Sequence, residues 1–253
     1  NAAQLEAVRT FISKDMDYIV IAPIQSAGWD TVLQEAQDAG IPVIIADREI
    51  EASDDLYDAW VGTNTTNEGI TAGNWLAEYL GDKDANILVI EGSVGASAAL
   101  GRTEGFNQVA GEHDNWKILD SQSGDFTRSK GKEVMESFIK AEDNGKNICA
   151  VYAHNDDMAI GAIQAIKEAG LKPGKDIKII SIDGVPDIFK AMIAGEANAS
   201  VELTPNMAGP ALDALQAFKK DGTLPPKHIK TESVLFEPAT AQAQLDLKKD
   251  MGY

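Results

Sequence analysis

Residues 151–159, VYAHNDDMA, and residues 179–187, IISIDGVPD, decide the fold. Each is an apolar, strand-type run that ends abruptly in polar groups. The first stops at Asn155-Asp156-Asp157 and the second at Asp183, and a helix-type segment follows each. In an open parallel α/β sheet, the carboxyl ends of the strands are where ligands bind. Amides and carboxylates held there suit a ligand rich in hydroxyl groups.

The same alternation extends outward in both directions. Strand-type runs fall at 18–24, 41–46, 60–61, 86–90, 116–119, 147–153, 177–182, 197–203 and 233–236. Helix-type segments fall between and around them, at 29–39, 71–80, 96–110, 129–141, 156–169, 186–194, 206–220 and 239–250, after an opening helix marked by Leu5, Val8, Phe11 and Ile12. Strands apolar on both faces, alternating with helices of this length, indicate βαβ units and a parallel sheet. About eight such units also fit a closed barrel, the main architectural rival. No long Pro/Gly/Ser linker separates domains, so two lobes require a chain that crosses between them several times.

The chain has 253 residues, room for one large or two medium domains. Its formal charge is −18, from 22 Lys and Arg against 40 Asp and Glu. Nucleic-acid affinity rests on clustered cations, so a phosphate-backbone partner and an anionic membrane surface are both excluded as expectations. No run approaches the roughly 20 apolar residues that span a bilayer. Cys149 is alone, within the apolar run Ile148-Cys149-Ala150-Val151, and reads as a buried structural thiol.

Asp47 and Arg48 end the run IPVIIA, where a carboxylate can accept hydroxyl hydrogen bonds and a guanidinium donates in a fixed fork. An ordinary strand-end ion pair is the alternative. Asn155 offers donors and an acceptor together, and Asp183 accepts from two hydroxyls. Their alternatives are a helix N-cap and a turn residue before Gly184. Asp156 reads as the better N-cap, leaving Asn155 free for a ligand. Residues 92–97, GSVGAS, lack both the Walker lysine spacing and the GxGxxG pattern, which excludes nucleotide binding. His113, His154 and His228 are too dispersed for a metal site. No nucleophile elbow, zinc-protease motif or Cys–His pairing points to catalysis.

AHNDDMAIGAIQAIKEAG (153–170), SIDGVPD (181–187), SQSGDFTRSKG (121–131) and EGSVGASAALGRTEGF (91–106) resemble the type I periplasmic sugar-binding proteins of ABC importers. The similarity is strongest to galactofuranose-binding proteins and their ribose-binding relatives. The resemblance implies an α/β fold of two doubly wound parallel-sheet lobes, one of residues 1–64 and 205–231, the other of 65–204 and 232–253. Such proteins begin with a strand, a helix and a second strand ahead of the segment at Asn1. The N-terminal lobe is therefore expected to be incomplete, run 18–24 to lack neighbours, and the chain alone to bind sugar weakly.

It implies a monosaccharide held between the lobes without cofactor, metal or catalysis, and delivery of the closed form to an importer's membrane permease. An exported, periplasmic protein, monomeric when full length, follows. The implied contacts are Asp47, Arg48, Thr63, Ser93, Arg102, Phe126, Asn155 and Asp183. Arg102 would donate to sugar oxygens rather than pair on the surface with Glu104. Phe126, amid Ser123, Asp125, Thr127 and Arg128, would offer an apolar platform rather than pack in the core. Leu203 stands where ribose binders commonly place a polar contact, a departure from the ribose pattern. The effector-binding domain of a sugar-responsive repressor and a barrel-type sugar enzyme are the competing functions.

Overall fold

A computed structural model describes residues 1–222 and 225–251. The expected second-lobe segment therefore ends in two positions, 252 and 253, outside the described residues. In chain order the helices are α1 (Ala2–Ser13), α2 (Asp30–Asp38), α3 (Thr65–Leu80), α4 (Ser97–Ala110), α5 (Arg128–Ala141), α6 (Asp156–Glu168), α7 (Pro186–Ile193), α8 (Ala208–Asp221) and α9 (Pro238–Asp250). The strands are β1 (Ile19–Ile21), β2 (Val43–Ala46), β3 (Ala59–Gly62), β4 (Ala85–Glu91), β5 (Trp116–Ser123), β6 (Ala150–Ala153), β7 (Lys178–Asp183), β8 (Ala199–Glu202), β9 (His228–Lys230) and β10 (Leu235–Phe236).

The chain forms two compact units, each with its own sheet, and the closed barrel is excluded. The first comprises Asn1–Asn64, Gly95–Ala98 and Thr204–Glu232. Its strands pair in the order β1-β2-β3-β9, all parallel. One core lies where Val32, Leu33 and Ala36 of α2 meet Ile19, Ile21, Val43 and Ile45. The edge strand β1 is hydrogen-bonded on one side, to β2, and its Val20 is half exposed.

The second unit comprises Thr65–Val94, Ala99–Leu203 and Ser233–Tyr253. Its strand order is β10-β8-β7-β6-β4-β5, parallel except for β10. Side chains alternate across a strand, and both faces of this sheet are covered. Leu88, Ile90, Val151, Ala153 and Ile179 face a core shared with α5, α6, α7 and α9. Ile87, Val89, Tyr152, Ile180, Ile182 and Val201 face the other core, with Ala72, Leu76 and Phe106 from α3 and α4. Two-sided burial is why these strands read as unbroken apolar runs.

Three of the departures from the sequence expectation have a plain physical cause. Helix α3 starts six residues early, at Thr65, because its first turn is polar. Strand β5 continues through Asp120–Ser123, since an edge strand carries polar residues on its open side. Strand β9 is a three-residue HIK segment with no apolar run to announce it.

Candidate functional site

Parallel strands deliver their carboxyl ends to one side of a sheet, and in the second unit that side gathers most of the expected residues. Ser93 follows β4, Phe126 follows β5, Asn155 follows β6, and Asp183 is the last residue of β7. Arg102 reaches the same place from α4. Helices α3 and α4 approach closely at Gly69, where a Cβ would lie 2.4 Å from the Arg102 carbonyl oxygen. That approach sets Glu68 beside Arg102.

Arg102 is 2 % exposed and Glu68 is 0 %. The guanidinium Nε donates to Glu68 Oε2 at 2.8 Å, and Nη1 donates to the His154 carbonyl at 2.6 Å. Nη2 is buried and has no hydrogen-bond acceptor among the described residues. Asp183 Oδ1 lies 3.8 Å from it. Burial pulls the guanidinium pKa down, but the carboxylates of Glu68 and Asp183 outweigh that loss and raise it overall. The surface pairing with Glu104 does not form. Sequence reasoning missed Glu68. Its one signal is a carboxylate on the apolar face of α3, in helical register with Ala72, Trp75 and Leu76.

The Phe126 ring stands 5.9 Å from the Arg102 guanidinium carbon. It lies against Gly92, where a Cβ would come within 2.0–2.4 Å of three ring carbons. The ring also packs partly against the core, as the alternative reading of Phe126 expects. Phe126 and Asp183 have φ of +57° and +134°, in the region that favours glycine. Strained backbone of this kind persists where the surroundings hold it in place, and it clusters at ligand sites.

Asn155 corrects the sequence expectation. It, rather than Asp156, caps α6: its Oδ1 accepts from the Met158 amide at 3.0 Å, and its Nδ2 donates to the Phe126 carbonyl at 3.2 Å. Its amide thus braces the Phe126 loop. Asp156 instead turns inward, wholly buried, and accepts four hydrogen bonds from β7, β8 and the turn before α7. Burial pushes its carboxyl up to about 6 against the pull of those donors. His154 is also buried. Gly92 N–H donates to its Nδ1 at 3.2 Å, which assigns the ring proton to Nε2. Burial and then the Arg102 charge lower its pKa to about 3.

Ser93 sits on the loop after β4 and donates to Asp125 Oδ1 at 2.5 Å. Leu203 packs against the core, and its amide donates to the Asp183 carbonyl at 3.1 Å.

In the first unit, Asp47 and Arg48 follow β2 and Thr63 follows β3, all at the carboxyl end of that sheet. Asp47 has φ +68° and lies 3.8 Å from the Arg48 Nε, an ion pair between neighbours. Arg48 Nη1 also donates to the carbonyls of Pro23 and Ile24, at 3.4 and 3.3 Å. Thr63 is buried. Among the described residues no group of His, Cys, Asp and Glu could hold a metal ion.

A family model described as a periplasmic binding protein domain matches residues 1–222. The galactofuranose-binding protein YtfQ of Escherichia coli is 60 % identical over 251 residues, 99 % of this chain and 79 % of that protein. A crystal structure of a galactofuranose binding protein superposes with a TM-score of 0.98 at 60 % identity, over 99 % of this chain and 85 % of the other. The arabinose ABC transporter's periplasmic binding protein from Shewanella sp. ANA-3, bound to α- and β-L-arabinofuranose, gives 0.94 at 48 % identity, over 98 % and 82 %. With two α/β lobes built on parallel sheets and polar groups gathered at the strand ends, this chain belongs to the periplasmic binding protein family.

Proposed function

We propose that this protein captures a monosaccharide, in a furanose ring form, as the solute-binding component of an ABC importer. The observation that carries the reading is the buried Arg102 Nη2, without an acceptor among the described residues, 3.8 Å from the Asp183 carboxylate and beside the Phe126 ring. A buried N–H donor left unmatched costs about 1–3 kcal/mol, so a ligand oxygen that accepts from it gains that much. A sugar hydroxyl can accept from Nη2 and donate to Asp183 at once, while the aromatic ring covers the C–H surface of the sugar.

Asp47, Arg48 and Thr63 offer groups of the same kind at the carboxyl end of the other sheet, and Ser93 adds a hydroxyl near Asp125. Asn155 acts by holding the Phe126 loop. The furanose form and the importer are supported by the relatives, which are named for galactofuranose and arabinofuranose binding. They favour import over the repressor reading, and they are binding proteins rather than enzymes. Membership of the same family supports a periplasmic location and docking on a membrane permease. No helix among the described residues is long and apolar enough to cross a membrane.

Titration calorimetry of the full-length gene product with L-arabinose, D-galactose and D-ribose tests this. The expected result is micromolar or tighter binding of at least one sugar with furanose forms in solution, without turnover. Absence of binding to all three, or their chemical conversion, overturns it.

A further inference from the structure

Asp156 is a wholly buried carboxylate whose four partners are neutral donors. Its Oδ1 accepts from Ser181 Oγ of β7 at 2.5 Å and from Ser200 Oγ of β8 at 2.8 Å. Its Oδ2 accepts from the backbone amides of Gly184 and Val185, at 2.7 and 2.8 Å. Those two residues follow Asp183 directly. The Asp183–Gly184 peptide is therefore fixed at both of its polar atoms: the carbonyl oxygen by the Leu203 amide at 3.1 Å, and the N–H chiefly by Asp156 at 2.7 Å, with Ser200 Oγ a longer second acceptor at 3.2 Å. The same peptide follows a residue at φ +134°, a conformation that relaxes unless its surroundings hold it.

We propose that Asp156 is a positioning residue, which holds the Asp183–Gly184 peptide so that the Asp183 carboxylate stays opposite Arg102 for the ligand. This rests on the sugar-binding reading. An ionised carboxylate only accepts, so it satisfies all four donors. An asparagine there places an N–H₂ against half of them. The two serines on separate strands and the N-terminus of α6 then lose their common anchor, and the strained residue is free to turn.

The test measures affinity for L-arabinose or D-galactose, whichever binds more tightly, in four proteins: wild type, Asp156→Asn, Asp183→Ala and the double variant. Asp156→Asn is expected to lower affinity at least tenfold, but by less than twofold when Asp183 is already alanine. A residue that acts through another gives such non-additivity. Equal fold losses in both backgrounds, or no loss, overturn the proposal. If Asp156→Asn does not fold, Ser181→Ala, which touches Asp156 and not the peptide itself, takes its place, with a loss of at least threefold expected only while Asp183 is present. If the wild type binds neither sugar, the sugar reading fails. The Gly184 amide proton then decides the matter alone: an upfield shift in Asp156→Asn or Ser181→Ala upholds the anchor, and an unchanged signal removes it.

Discussion

Arg102 and Asp183 face each other at 3.8 Å, too far for a hydrogen bond and close enough for a strong mutual field. The gap is held from both sides. Glu68 and the His154 carbonyl fix the guanidinium, while Leu203 and Asp156 fix the backbone that carries the carboxylate. In the proposed function a sugar hydroxyl bridges these two groups, accepting from one and donating to the other.

Asp183→Ala removes the acceptor of that pair. Hydrogen bonds to charged groups contribute about 1.5–3 kcal/mol, so sugar affinity should fall roughly 10- to 150-fold. Titration calorimetry checks it, on a variant shown by circular dichroism to be folded.

Glu68→Gln leaves the Arg102 charge buried without its principal counter-charge. Removing one partner of a buried ion pair costs about 3–5 kcal/mol. Denaturant titration should show a loss of that order, and a far smaller one for Glu104→Gln.

Gly92→Ala forces the Phe126 ring off its seat, since the added carbon would lie 2.0 Å from a ring atom. Loss of an aromatic contact of about 1 kcal/mol lowers sugar affinity roughly fivefold. Phe126→Ala should show a comparable loss, and the two together little more than either alone.

His154 gives a pH dependence of defined sign. Its folded pKa is about 3 against an ordinary 6.5, so the folded state keeps the ring neutral. The resulting stability is fully present above pH 6.5 and is lost as pH falls from there toward 3, at up to about 1.4 kcal/mol per pH unit. Asp156, raised to about 6, acts with opposite sign between about pH 4 and 6. The difference between wild type and His154→Gln isolates the histidine. That difference should shrink or reverse between pH 7 and pH 4 in urea unfolding, and a pH-independent difference would refute the buried neutral ring.

The strand tips were legible because apolar runs buried on both faces end at a sharp chemical boundary. Residues 150–153 and 178–183 are buried almost throughout, and Asn155 and Asp183 stand at their ends. Strand β9 and the far half of β5 were hidden, being polar and at or near a sheet edge. Glu68 was hidden because its partner lies 34 positions away. The exchange of roles between Asn155 and Asp156 follows from Ser181 and Ser200, 25 and 44 positions from Asp156, a long-range pairing that local capping preference does not reveal.

A crystal structure of the full-length gene product grown with its sugar is the most direct measurement. The expected result is a furanose ring with one hydroxyl oxygen within 3.2 Å, an ordinary hydrogen-bond distance, of both Arg102 Nη2 and the Asp183 carboxylate, its C–H face on Phe126. A sugar bound elsewhere, with those groups in contact with water or with each other, would contradict the account.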